Sequence, residues 1–274
     1  MTAYQAQSKL NEVYDFLRSF EGMINPDNIR LGRWLRDAQA LRKSSPAEGF
    51  LMEALVYRVQ GKLDQAIEYA EKSYRLDKAL ACNNYTTILS DAGHFKEAVE
   101  LALITLQKDN LNTYALNRLI IDASITIDKD SLSQGLALFK DPNGKFKDLL
   151  NLAHRRLKKC DETISTLEKA GITIDSYAAV SSIASRALNS YYLGNSRFEM
   201  AIQHNEAGVF LIINEEIPNI DINDCFIIHD KYINDLIDSD LSFKDYKRIV
   251  YSFLPLENND LLEGSVCQQQ ETLM

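Results

Sequence analysis

Residues 61–77, GKLDQAIEYAEKSYRLD, and residues 93–109, GHFKEAVELALITLQKD, are two versions of one sentence. Gly61 falls on Gly93, Leu63 on Phe95, Ala66 on Ala98, Ile67 on Val99, Ala70 on Ala102 and Asp77 on Asp109, each pair 32 positions apart. A fixed period of this size marks a solenoid of stacked helical hairpins, in which each unit buries its apolar face only against its neighbours. The first copy opens at Ser45-Pro46-Ala47-Glu48, which predicts Ser as N-cap, Pro at N1 and Glu at N3. Phe50, Ala54 and Tyr57 then share one helical face, Gly61 breaks the helix, and Leu63, Ala66, Ile67, Ala70 and Tyr74 form a second stripe at helical spacing. The small residues Ala54, Ala66 and Ala70 let two helix axes approach closely.

Working outward, residues 4–20 predict a helix through Leu10, Val13, Tyr14, Leu17 and Phe20. A second starts at Asn25-Pro26-Asp27 and carries Leu31, Trp34, Leu35, Ala38 and Leu41 inward. Arg30, Arg33 and Arg36 run along this helix as a wet face, as a grip for an acidic partner, or as partners of the acidic C-terminal part. After Asp109, Tyr114–Ile127 and Ser131–Phe139 predict a third hairpin, and Asp141-Pro142-Asn143-Gly144 a turn. Phe146–Cys160 and Asp161–Ala170 predict a fourth, stopped by Gly171. Tyr177, Val180, Ala184, Leu188 and Tyr191 head a fifth, continued by Gly194, Phe198, Ala201 and Ile202. VFLIINEEI at 209–217 reads as helix or strand; helix is favoured, because no other segment offers it a strand partner. Phe243, Tyr246, Val250 and Phe253 have helical spacing behind Ser242. The expected organisation is a hairpin or cap over 1–46, repeats over 47–205, an acidic helical region over 206–257 and a disordered tail over 258–274.

These residues resemble the tetratricopeptide repeat (TPR) family. Phe50, Ala54, Tyr57, Gly61, Leu63, Ala66 and Ser73 match its pattern in the first copy, and Gly93, Phe95 and Ala98 in the second. Asn84 and Tyr85 stand where the second copy's opening signature belongs, and Lys78 and Asn110 replace the usual closing proline. The resemblance implies an all-α, right-handed α-solenoid that works by binding rather than by catalysis. It implies that the first helix of each pair lines a concave groove holding a peptide segment of a protein partner. Counted from Ala47 and Ala79, the groove positions hold Leu51, Leu55 and Arg58, then Asn83, Asn84 and Thr87, with Asn117 and Arg118 from a third unit. Asn can pair with both N–H and C=O of an extended peptide, and Arg with its carboxylates. The Lys residues of the family's carboxylate clamp are missing at these positions.

Composition narrows the function further. The formal net charge is −9, and residues 206–263 hold 13 Asp and Glu against 4 Lys and Arg. That acidity disfavours nucleic acid and suits a basic partner, so a second expectation is a regulator that masks a partner protein through this acidic region. No P-loop, GxGxxG, HExxH or GxSxG motif occurs. His94, His154, His204 and His229 lack metal-ligand spacing, and Cys82, Cys160, Cys225 and Cys267 lie far apart. No enzyme activity, cofactor or metal is therefore expected. Unpaired cysteines without a leader-like segment predict a cytoplasmic setting, and no apolar run reaches the ~20 residues of a membrane span.

Overall fold

The computed structural model describes residues 3–206 and 208–256. It is mostly helical, 67%, but a quarter of the way from its C-terminal end helices give way to strands. Successive helices pack as hairpins: α1 (Ala3–Ser19) with α2 (Ile29–Leu41), α3 (Pro46–Val59) with α4 (Leu63–Leu76), α5 (Lys78–Asp91) with α6 (Phe95–Lys108), and α7 (Thr113–Thr126) with α8 (Lys129–Leu138). α1, α3, α5 and α7 also touch in sequence, so the first helices of the pairs form one layer.

Local chemistry sets the boundaries. Asp77 ends α4 and its carboxylate then accepts the amide of Leu80 at 3.0 Å, capping α5. Asn112 caps α7 through the Ala115 amide at 2.9 Å, and Asp128 caps α8 through Ser131 at 3.0 Å. Pro46 does take N1 of α3, but the Ser45 side chain makes no capping hydrogen bond, contrary to the expected box. Inside the stack Ala54, Ala66 and Ala70 are fully buried around Ile88, as the small-residue pattern anticipates.

The fourth expected hairpin is one continuous helix, α9 (Lys147–Ala170), 24 residues long. No Gly or Pro interrupts Cys160-Asp161, so nothing breaks it there. Gly171 stops α9 with φ +65°. The chain then reverses into α10 (Ile174–Tyr191), which runs along the turns of the preceding hairpins. A Cβ on Gly93 would lie 2.3 Å from the Ser182 carbonyl oxygen, and one on Gly61 2.0 Å from that of Ser190. Both glycines also have positive φ, +77° and +69°. Glycine is therefore required twice over, for the left-handed turn and for the backbone contact. The step of eight positions from Ser182 to Ser190 spans about 12 Å of helix, the spacing of one hairpin from the next. Arg186 clamps Asp64 at the start of α4 with bonds of 2.8 and 2.7 Å, and Asn189 donates to the Asp91 carbonyl at 3.2 Å. Beyond α10, β2 (Tyr192–Leu193) pairs antiparallel with β1 (Gly22–Met23), in the turn of the first hairpin.

The remainder corrects the all-helical expectation. β3 (Arg197–Asn205) pairs antiparallel with β4 (Gly208–Ile217), and β4 pairs in parallel with β5 (Ile249–Pro255), in the order β3-β4-β5. α11 (Ile222–Ile237) and the short α12 (Phe243–Tyr246) form the crossover. The stretch 209–217 is thus a strand with buried Leu211, Ile213, Glu215 and Ile217 at strict alternation. Its partners are 197–205 and 249–255, both of which show helical spacing in the sequence. Phe198 and Ile202, four apart, share a face in either period, so they cannot discriminate. Val250 and Phe253 do: three apart, one is exposed and the other buried, as a strand requires. The inner sheet face packs with Cys225, Ile228, Tyr232 and Leu236 of α11 and Tyr177, Val180, Ala184 and Leu188 of α10 in one core. The expected tail at 258–274 lies outside the described residues.

Candidate partner-binding surfaces

The layer of first helices is where the groove residues fall, and most of them are already engaged. Leu51 and Leu55 are buried in the core shared by α1, α2 and α3. Arg58 of α3 donates through Nε to Asp91 at the end of α5 at 2.5 Å. Asn84 of α5 donates to the Tyr14 hydroxyl of α1 at 3.0 Å, reaching across α3. Thr87, only 7% exposed, shares a hydrogen bond with Tyr114 of α7. Arg118 of α7 contacts Asp122 at 3.1 Å and Ser90 of α5, and Ser90 donates to Asp122 at 2.6 Å. Arg118 keeps 17% of its side chain exposed, and Asp122 none. Burial pushes the Asp122 carboxyl above its ordinary range, while Arg118 and Ser90 pull it back.

Thr87 and Arg118 are therefore not the exposed ligand contacts expected of them. With Arg58 and Asn84 they fasten one hairpin to the next. Asn83 and Asn117 remain. Both are partly exposed; Asn83 has only the Cys82 thiol 3.7 Å from its Oδ1, and Asn117 makes no side-chain hydrogen bond among the described residues. The groove count does not reach Asp91, Asp122, Tyr14 or Tyr114. The sequence signals Asp122 only as an acid four residues after Arg118, and the others not at all.

A second concavity, about 450 Å³, lies between α1 and α2. Glu12 accepts from Arg33 at 2.8 Å and from the Trp34 indole at 3.2 Å, and Arg30 lies over the Phe16 and Trp34 rings at 6.0 and 5.8 Å. Arg33 thus pairs with α1, not with the acidic C-terminal part. The C-terminal unit contains one buried polar knot. Glu215 accepts from Ser196 and Tyr251, both at 2.6 Å, and burial pushes its carboxyl up against the pull of these two donors. No group of three metal-capable side chains converges among the described residues, and no helix among them is long and apolar enough to cross a membrane.

No family model matches the chain, and neither a curated protein nor a solved structure matches it.

Proposed function

We propose that the chain is a non-enzymatic protein-interaction module of tetratricopeptide-like design, an adaptor, scaffold or secretion-type chaperone that acts in the cytoplasm. Its stacked hairpins hold an extended peptide segment of a protein partner against the layer formed by α3, α5 and α7. One observation carries the reading. On adjacent units Asn83 and Asn117 present partly exposed amides that the fold itself leaves almost unused, while Arg58, Asn84, Thr87 and Arg118 are tied into the stack. An Asn amide offers both a donor and an acceptor, which matches a peptide backbone. The bonds of Thr87 to Tyr114, Arg118 to Ser90 and Ser90 to Asp122 join α5 to α7 and hold the two amides at a set separation, so little ordering is needed on binding.

Asn83→Ala with Asn117→Ala tests it by titration calorimetry against a partner captured by the intact chain. Hydrogen bonds of about 0.5–1.5 kcal/mol each translate into an affinity loss of roughly five- to hundredfold for the pair, with an unchanged melting temperature. Unchanged affinity would move the partner off this layer.

A further inference from the structure

α11 is apolar on more of its surface than the fold covers. Cys225, Ile228, Tyr232 and Leu236 face the core, as helical spacing demands. Beside them Ile222, Phe226, Ile233 and Ile237 form a second line at intervals of four, seven and four, and it is open: they are 47%, 60%, 36% and 68% exposed. At 100° per residue the two lines together make an arc about half the helix wide, apolar except for His229 between them, of which only one side is buried. A contiguous line of large apolar side chains left in water marks a contact surface.

We propose that this outer line of α11 docks an amphipathic helix of a partner protein whose apolar face is bordered by Lys and Arg. The surface is separate from the layer that carries Asn83 and Asn117, and the proposal does not depend on that one. The charge around the line selects the occupant. Residues 221–240 contain six Asp and one Lys, and that Lys231 is already paired with Asp235. Asp230 borders the line at its middle, with Asp221 at one end and Asp238 and Asp240 at the other; all four are exposed. A second copy is disfavoured. Antiparallel α11 helices would set Asp221 against Asp238 and Asp240, and parallel ones Asp230 against Asp230. The chain's own residues 257–274 are disfavoured too, having four acids and no Lys or Arg. Basic flanks would instead meet Asp230 beside the line and Asp221, Asp238 and Asp240 at its ends, and opposite charges around an apolar centre give specificity and speed of association.

The test uses the full chain and synthetic peptides of about 18 residues, long enough to hold helix in water. One has a Leu stripe flanked by Lys and Arg, one the same stripe flanked by Glu, and one the basic composition scrambled. Fluorescence anisotropy should show the first binding at least about tenfold tighter than the other two, an advantage that shrinks in high salt. Phe226→Ser with Ile233→Ser should abolish that advantage at an unchanged melting temperature. Asp230→Lys with Asp238→Lys, which leaves the apolar line intact, should shift preference towards the Glu-flanked peptide. Equal binding of stripe and scramble, insensitivity to both double variants, or a sedimenting dimer that the Ser variant converts to monomer would each overturn the proposal.

Discussion

At the scale of single residues, the polar side chains of the helical layer divide by whether the fold has already claimed them. Arg118 serves Asp122 and Ser90, so replacing it leaves a buried carboxylate without its cation, and a lost stability would obscure any effect on binding. Asn83 and Asn117 lack such duties and are the cleaner probes. Glu215 gives the sharpest residue-level expectation. Its folded-state pKa is raised above the ordinary 4.5 because burial disfavours the carboxylate more than Ser196 and Tyr251 favour it. A raised folded value means that the native state holds the proton more tightly than the unfolded chain. The stability this contributes is complete below about pH 4.5 and is lost as pH rises through the raised value. Glu215→Gln keeps the shape and removes the titration. Urea unfolding across pH 4–8 should therefore show wild-type stability declining relative to the variant over that window, with any offset from altered hydrogen bonds about 1 kcal/mol. Parallel curves would mean that Glu215 does not titrate differently on folding.

At the scale of elements, the helical hairpins were legible and the sheet was not, for a physical reason in each case. Gly61, Gly93 and their flanking alanines repeat because each turn must go left-handed and each crossing must be close, constraints that sequence records directly. The same glycines carry a second constraint that sequence conceals: α10, more than eighty residues away, rests its backbone on them. Gly61→Ala and Gly93→Ala should each cost about 2–5 kcal/mol in thermal or urea unfolding, combining a left-handed L-residue with an overpacked contact. A cost below 1 kcal/mol in both would place α10 elsewhere. The sheet escaped notice although β3 alternates Phe198, Met200 and Ile202 with Glu199, Ala201 and Gln203, because the strand is solvent-facing nearly throughout and the Phe198–Ile202 spacing fits a helix equally well. β5 reaches β4 only after the whole of α11 and α12, a pairing with no local trace. The groove positions fall on α3, α5 and α7, the first helices of their pairs, but their availability depends on Asp91, Asp122, Tyr14 and Tyr114. Contacts between helices about thirty residues apart are set by packing and not by the period.

At the scale of the molecule, hairpins of fixed period form a scaffold and the rest of the chain fastens it. α10 closes the edge of turns from Gly93 to Gly61, β2 adds the turn at Gly22, and the sheet with α11 covers α10 in turn. This arrangement makes a cut after residue 205 a poor way to separate the acidic part from the stack, since it falls between paired strands β3 and β4. Point probes in the full chain avoid the problem. The most direct measurement of the protein-interaction reading places a photo-activated crosslinking residue at Asn117 on α7, and in a separate protein at Lys72 on α4, among the second helices of the pairs. Each is irradiated with the captured partner, and adducts are identified by mass spectrometry. The expected result is one partner segment joined at Asn117 and absent from Lys72, with the yield at Asn117 lowered when Asn83→Ala is added. Adducts at Lys72 alone, or equal yields at both positions, would contradict binding along the layer of α3, α5 and α7.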